Sequence, residues 1–139
     1  MIEPSAVRAH LTEILAGTGC FLIDVTVDKN NKIVVSVDRS ESIGIDDCVM
    51  ISRKLEARLD RDKEDFALEV SSPGLDSPFK VIEQYHKNKG KKVKVVTKDG
   101  RTTEGLLRQV SDDGIEMDAP ETVSMKFDEI QSVRRVIHM

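Results

Sequence analysis

Val7, Leu11, Ile14 and Leu15 recur at the spacing of one helix face. Pro4 suits the first turn of that helix, where its missing N–H costs nothing, and Gly17 and Gly19 stop it. The next run, FLIDVTV, has period two. Phe21, Ile23, Val25 and Val27 alternate with Leu22, Asp24 and Thr26, which predicts a strand with one buried face. After the turn DKNNK, Ile33, Val35 and Val37 alternate again, so the two runs predict a hairpin. From Ile45 the period returns to helical. Ile45, Val49, Ser52, Leu55 and Leu59 share a stripe, with Arg53, Lys54, Glu56 and Arg58 on the other side. The charge-rich DRDKED ends this helix, and FALEV reads as a short strand. Crossover rules place that strand inside the sheet through a right-handed connection. The first half is therefore α-β-β-α-β, a three-stranded sheet with two helices on one face.

LEVSSPGLDSPF, residues 68–79, interrupts this pattern. Serine bonds the backbone, proline fixes φ and glycine allows positive φ, so Ser-Ser-Pro-Gly is turn chemistry. The stretch predicts a joint, followed by a short helix with Ser77 as N-cap and Pro78 at its first position. Five short β runs come next: KKVKVVT, TTEGLLRQVS, GIEMDA, TVSMKF and SVRRVIHM. Their even spacing and Gly- and Asp-rich turns predict a small antiparallel barrel. Asp99-Gly100 is a hairpin signal, and Gly105 predicts a bend within a strand. The expected organisation is an N-terminal α/β domain over 1–72, a joint and short helix over 73–88, and an all-β small barrel over 89–139.

Composition sharpens this picture. Trp is absent and aromatics make up 4% of the chain, so the core falls to Val, Ile and Leu. A domain of ~60 residues buries only about 60% of its unfolded surface, so two such domains are expected to lean on each other. No stretch reaches the ~20 apolar residues that cross a bilayer, and MIEPSAVRAHLTEIL does not read as a signal peptide. Cys20 and Cys48 form neither a disulfide framework nor a zinc-ligand spacing, which suggests a reduced, cytoplasmic setting. Residues 1–86 hold ten basic and sixteen acidic side chains, and residues 87–139 hold eleven and nine. The acidic first half and mildly basic second half are expected to meet different partners.

Candidate catalytic chemistry is sparse. Ser71 and Ser72 lack a G-x-S-x-G elbow, and His10, His86 and His138 have no orienting context. Asp46 and Asp47 sit where acids favour a helix start. No phosphate-binding loop or dinucleotide fingerprint is present. No enzyme activity, metal or cofactor is expected. The positive feature is HKNKGKKVK, which places Lys87, Lys89, Lys91, Lys92 and Lys94 within eight residues, with Lys98 and Arg101 around the next turn. Arg134 and Arg135 come from the last strand. Such a strip neutralises phosphates with little sequence preference, and lysine is also a common guard on edge strands. Phe127 is the one aromatic after the short helix, so base-stacking platforms are lacking.

At LEVSSPGLDSPF the chain resembles the ribosome maturation factor RimP family. G-C-F-L-I-D-V-T-V resembles that family's first strand, S-I-G-I-D-D-C-V-M-I-S-R its second helix, and G-K-K-V-K-V with D-G-R-T-T-E-G-L-L-R-Q-V its C-terminal domain. The resemblance implies an N-terminal α/β domain and an Sm-like, SH3-like C-terminal barrel. It also implies a non-enzymatic, cytoplasmic bacterial protein, taken here to be a monomer with no membrane partner. Such a protein binds the immature 30S small ribosomal subunit and assists rRNA folding and ribosomal protein incorporation. The small-subunit rRNA and small-subunit ribosomal protein twelve are the implied partners. The functional positions carried over are Ser71, Ser72, Pro73, Gly74, Leu75 and Asp76, with Pro78 completing the joint motif. The family motif usually continues Asp-Arg-Pro-Leu, whereas this chain has Asp76-Ser77-Pro78-Phe79. The competing reading is an Sm-like RNA-binding protein acting on mRNA or small RNA.

Overall fold

A computed structural model describes residues 2–41, 43–74 and 77–136. The chain forms two compact units, residues 1–73 and 74–139. The first begins with helix α1, Pro4–Leu15, whose buried stripe is Val7, Leu11, Ile14 and Leu15. Strands β1, Cys20–Val27, and β2, Lys32–Arg39, form an antiparallel hairpin. Its turn is held by Asp28, whose carboxylate accepts the Asn30 and Lys32 N–H groups at 2.8 and 2.9 Å. Helix α2, Ile45–Arg58, then leads to β3, Ala67–Ser71, which pairs parallel with β2.

Three expectations for this unit are corrected. The sheet order is β1-β2-β3, so β3 lies at an edge and not inside the sheet. The short hairpin keeps β1 beside β2, and β3 pairs on the side of β2 that the hairpin leaves free. In β1, pairing shifts between Leu22 and Asp24, leaving Ile23 as an extra residue. Such a bulge reverses the inward parity of a strand. Cys20 and Leu22 therefore face the core before it, Val25 and Val27 after it, and Phe21 is not in the core cluster. In α2 the inward residues are Cys48, Ile51 and Leu55, with Leu59 just beyond the helix. Ile45 and Val49, expected on that stripe, are exposed.

The loop from α2 to β3 is organised by Arg61. Its guanidinium donates to Glu56, Asp65 and the Phe66 carbonyl and stacks 4.0 Å from the Phe66 ring centroid. The charges of DRDKED thus close the crossover and bring Phe66 into the core.

The second unit is a single antiparallel sheet. Its strands are β4 (Lys92–Thr97), β5 (Thr102–Val110), β6 (Gly114–Asp118), β7 (Thr122–Lys126) and β8 (Ile130–Arg135), in the order β7-β6-β5-β4-β8. Val93, Val95, Leu107, Ile115, Met117, Ile130 and Val133 form its core. Pairing shifts around Arg108 and Gln131 again change which residues point inward, so both Ile130 and Val133 are buried. The last strand starts at Ile130, earlier than the run SVRRVIHM suggests, and Ile137, His138 and Met139 lie outside the described residues.

Helix α3, Ile82–Lys87, is shorter than expected. Ser77 and Pro78 neither cap nor start it. Phe79 instead donates its N–H to the Val133 carbonyl at 2.8 Å, and its ring packs on the second core. That contact keeps the chain extended past Pro78, and the Gln84 side chain caps the helix by accepting the Lys80 and Val81 N–H groups. Tyr85 links Phe79 to Phe127 in edge-on contacts, with centroids 5.0 and 5.1 Å apart.

Glycine permits two close approaches in the sheet. A Cβ on Gly105 would lie 2.3 Å from the Asp118 carbonyl oxygen, and one on Gly114 would lie 2.1 Å from that of Met125. Gly105 is thus required by proximity of backbone. Both obstacles are main-chain atoms, so relief requires strand movement. Gly114→Ala is expected to destabilise the second unit by about 1–3 kcal/mol, the usual range for overpacking, as measured by urea unfolding. A wild-type midpoint would refute the close approach.

Cys20 is buried and Cys48 half-buried, and neither is in a disulfide. Burial, then the neighbouring Asp47 charge and Cys20, push the Cys48 thiol above its ordinary pKa. The thiolate is the reactive form, so Cys48 should be alkylated more slowly than free cysteine at neutral pH. Its rate should rise only at higher pH than that of the free amino acid. Alkylation at neutral pH faster than free cysteine would contradict this assignment.

Candidate functional site

The lysine-rich segment occupies a fixed turn and one face of a strand. Lys87 ends α3, and Lys89 and Lys91 lie in the turn before β4. That turn is tied to β5 by two hydrogen bonds, from the Gly90 N–H to the Leu107 carbonyl at 2.7 Å and from the Leu107 N–H to the Lys91 carbonyl at 2.9 Å. Beneath it, the buried Asn88 side chain donates to the Gln84 carbonyl at 2.7 Å. Buried polar groups require partners, and here they give the turn a specific shape. Sequence reasoning overlooked Gln84 and Asn88; their four-residue spacing in the short helix was the available signal.

In β4, Val93 and Val95 point into the core, so Lys92 and Lys94 point outward. Lys94 is opposite Glu104 on β5 and Arg134 on β8, giving a row of cation, cation and acid across three strands. Glu104 also approaches Lys92 at 3.6 Å. The outward face is thus cationic toward β8 and partly neutralised toward β5.

Lys98 and Arg101 are separated from that turn. They lie around the β4–β5 hairpin, at the other end of a six-residue strand, about 20 Å away by strand rise. Arg101 pairs with Asp99 at 3.3 Å. The Thr97 hydroxyl, then the Arg101 backbone N–H and the Arg101 charge, hold the Asp99 carboxyl below its ordinary range. The structure therefore sets Lys94 opposite Arg134, with Lys92 on the same strand face and Lys87, Lys89 and Lys91 just ahead of β4, and it places Lys98 and Arg101 at the other end of the strand.

In the joint motif, Ser71 ends β3, Ser72 and Gly74 are exposed, and Pro73 is half-buried. The Gly74 carbonyl accepts the Ser77 N–H at 3.1 Å, and Pro78 is exposed. Leu75 and Asp76 lie outside the described residues. Among the described residues no hydrogen bond joins Ser71 or Ser72 to a histidine, and no three acidic, histidine or cysteine groups form a metal-binding cluster. No described helix is long and apolar enough to cross a membrane.

Comparison with known proteins gives this arrangement a family. Residues 10–76 match the family model described as the RimP N-terminal domain. A ribosome maturation factor RimP from Flavobacterium psychrophilum is 43% identical over 95 residues, covering 68% of this chain and 61% of the relative. One from Porphyromonas gingivalis is 32% identical over 142 aligned residues, covering 99% of this chain and 93% of the relative. A third, from Christiangramia forsetii, is 39% identical over 87 residues, covering 63% and 57%. The match along nearly the whole of the second relative takes in both the α/β unit and the β-rich unit that carries the lysine face. The chain belongs to the ribosome maturation factor RimP family.

Proposed function

We propose that this protein is a ribosome maturation factor that binds the immature small ribosomal subunit in the bacterial cytoplasm and assists its assembly without covalent chemistry. Family membership supports the process, and the cationic β4 face carries the reading of how contact is made. Lys94 opposite Arg134, with Lys92 on the same strand face, Lys87 at the end of α3 and Lys89 and Lys91 in the tied turn, suits the sugar–phosphate backbone of folded rRNA. Phosphate contacts position a protein without reading bases. Lys98 and Arg101 form a second, separate contact in this proposal. The β-rich unit is read as an Sm-like, SH3-like barrel because five short antiparallel strands enclose one aliphatic cluster.

The first unit supports the other half of the reading. Residues 1–73 contain nine basic and fourteen acidic side chains, a surface suited to a basic ribosomal protein such as small-subunit protein twelve. Domain limits of 1–72, 73–88 and 89–139, with Ser71–Asp76 and Pro78 as the joint, remain part of this proposal. Binding an assembly intermediate more tightly than the mature particle shifts the population toward productive folding. The mRNA-binding alternative is weakened by the aromatics: Phe79, Tyr85 and Phe127 pack on the core and do not form a base-stacking surface.

The test is sedimentation with purified ribosomal subunits. The parent is expected to migrate with free small subunits and to be absent from full ribosomes. A variant with Lys87, Lys89, Lys91, Lys92 and Lys94 changed to Gln should stay at the top of the gradient. Failure of the parent to co-migrate would reject the ribosomal reading, and binding unchanged in the variant would remove the lysine face from it.

A further inference from the structure

Among the described residues, the first unit has a strand edge with no partner, beside an exposed apolar helix surface. A groove of about 560 Å³ runs between α2 and β3, lined by Ile43, Ile45 and Val49 on one side and Leu68 and Val70 on the other. Ile45 is 83% exposed and Val49 41%. These residues belong to the apolar stripe expected to be buried, and the structure gives them no core to enter.

The edge has a defined chemistry. The Ala67 N–H donates to the Asn31 carbonyl at 3.1 Å, so residues 67, 69 and 71 turn their backbone groups toward β2. Strand alternation then directs the N–H and C=O of Leu68 and Val70 to the open edge. Their side chains pack on the core and border the groove, whereas Glu69 is exposed on the opposite face. Natural edge strands are commonly guarded by lysine, proline or a covering element. In β3, ALEVS, the charge is the single acid at its centre.

The geometry points to a strand-addition site, at which β3 and α2 bind an extended segment of a partner protein that alternates apolar and basic residues. Backbone groups of the segment would pair with Leu68 and Val70. Apolar side chains on one face would cover Ile45 and Val49, and a lysine or arginine on the other would meet Glu69. This combination of main-chain pairing and alternating side-chain pockets is a general mode of peptide capture. The unit's excess of acids favours the same sign of partner. A second copy of this chain is disfavoured, because antiparallel self-pairing centred on β3 would set Glu69 against Glu69. The inference deepens the reading that the acidic unit docks a basic protein, and rests on it only for the segment's source.

The test uses the full chain and two synthetic octapeptides, one alternating Val and Lys and one alternating Val and Glu. At ten times its Kd, the Val/Lys peptide should slow hydrogen exchange at Leu68 and Val70 about tenfold, by mass action. The Val/Glu peptide should leave both amides unchanged. Val70→Pro removes an outward N–H and spares the ladder to β2, because proline is tolerated where the N–H faces away from the sheet. By fluorescence anisotropy, V70P should weaken Val/Lys peptide binding about tenfold, the loss of one main-chain bond and its local fit. The double variant Ile45→Lys and Val49→Lys, at two exposed positions, should weaken it as well. Exchange unaffected by either peptide, or slowed equally by both, would overturn the proposal. So would a doubled mass in sedimentation equilibrium with Leu68 and Val70 protected in the absence of peptide, which would make a second copy the occupant. Peptide binding intact in a protein that fails to meet small subunits would reject the ribosomal source and leave the groove standing.

Discussion

The parallel pairing of β2 with β3 is the constraint on which the first unit depends. Parallel neighbours cannot be joined by a tight turn, so the chain must cross over the sheet. Helix α2 makes that crossover, and its Cys48, Ile51 and Leu55 close the core over Val35 and Val37. Arg61 then gathers Glu56, Asp65 and the Phe66 carbonyl, which brings the chain back to start β3. The cost of this route is an open edge. With the hairpin occupying the other side of β2, β3 has a neighbour on one side only among the described residues, and the start of α2 leaves Ile45 and Val49 exposed.

The second unit solves the same shortage of aromatics differently. Five antiparallel strands need only short turns, so its core is assembled by bulges and close glycine contacts around a small aliphatic cluster. Phe79, Tyr85 and Phe127 seal that cluster, and the hydrogen bond from Phe79 to Val133 joins the segment before α3 to β8. Holding α3 there positions Lys87 and the turn carrying Lys89 and Lys91 just ahead of the lysines of β4. A polar pair, Gln84 and Asn88, shapes the base of this turn. The cations are therefore presented on ordered backbone.

Much of this was legible in the sequence, and the failures share a cause. Period and turn chemistry located both helices of the first unit and all eight strands, because these signals are local. Which side of a strand faces inward is a property of pairing. The extra residue at Ile23 reverses parity within β1, and shifts around Arg108 and Gln131 do the same in β5 and β8. Nothing in FLIDVTV announces such a bulge. The apolar residues of α2 allow more than one inward face, and packing on the sheet selects Cys48, Ile51 and Leu55 in place of Ile45 and Val49. Ser77-Pro78 is a good helix start in isolation, but the Phe79 contact with β8 overrides it. The lysine cluster was visible as composition. Its division into five lysines at the start of β4, with Lys94 opposite Arg134, and a distant Lys98–Arg101 pair follows from the strand register.

The proposed function depends on preferential binding, in which an unfinished particle is held more tightly than a finished one. The direct measurement is the affinity of the full chain for small subunits isolated before and after maturation, at the same salt concentration, since phosphate contacts make affinity depend on salt. A clearly lower Kd is expected for the immature particle. Equal Kd values would contradict it, because a ligand that binds two states equally shifts no equilibrium between them.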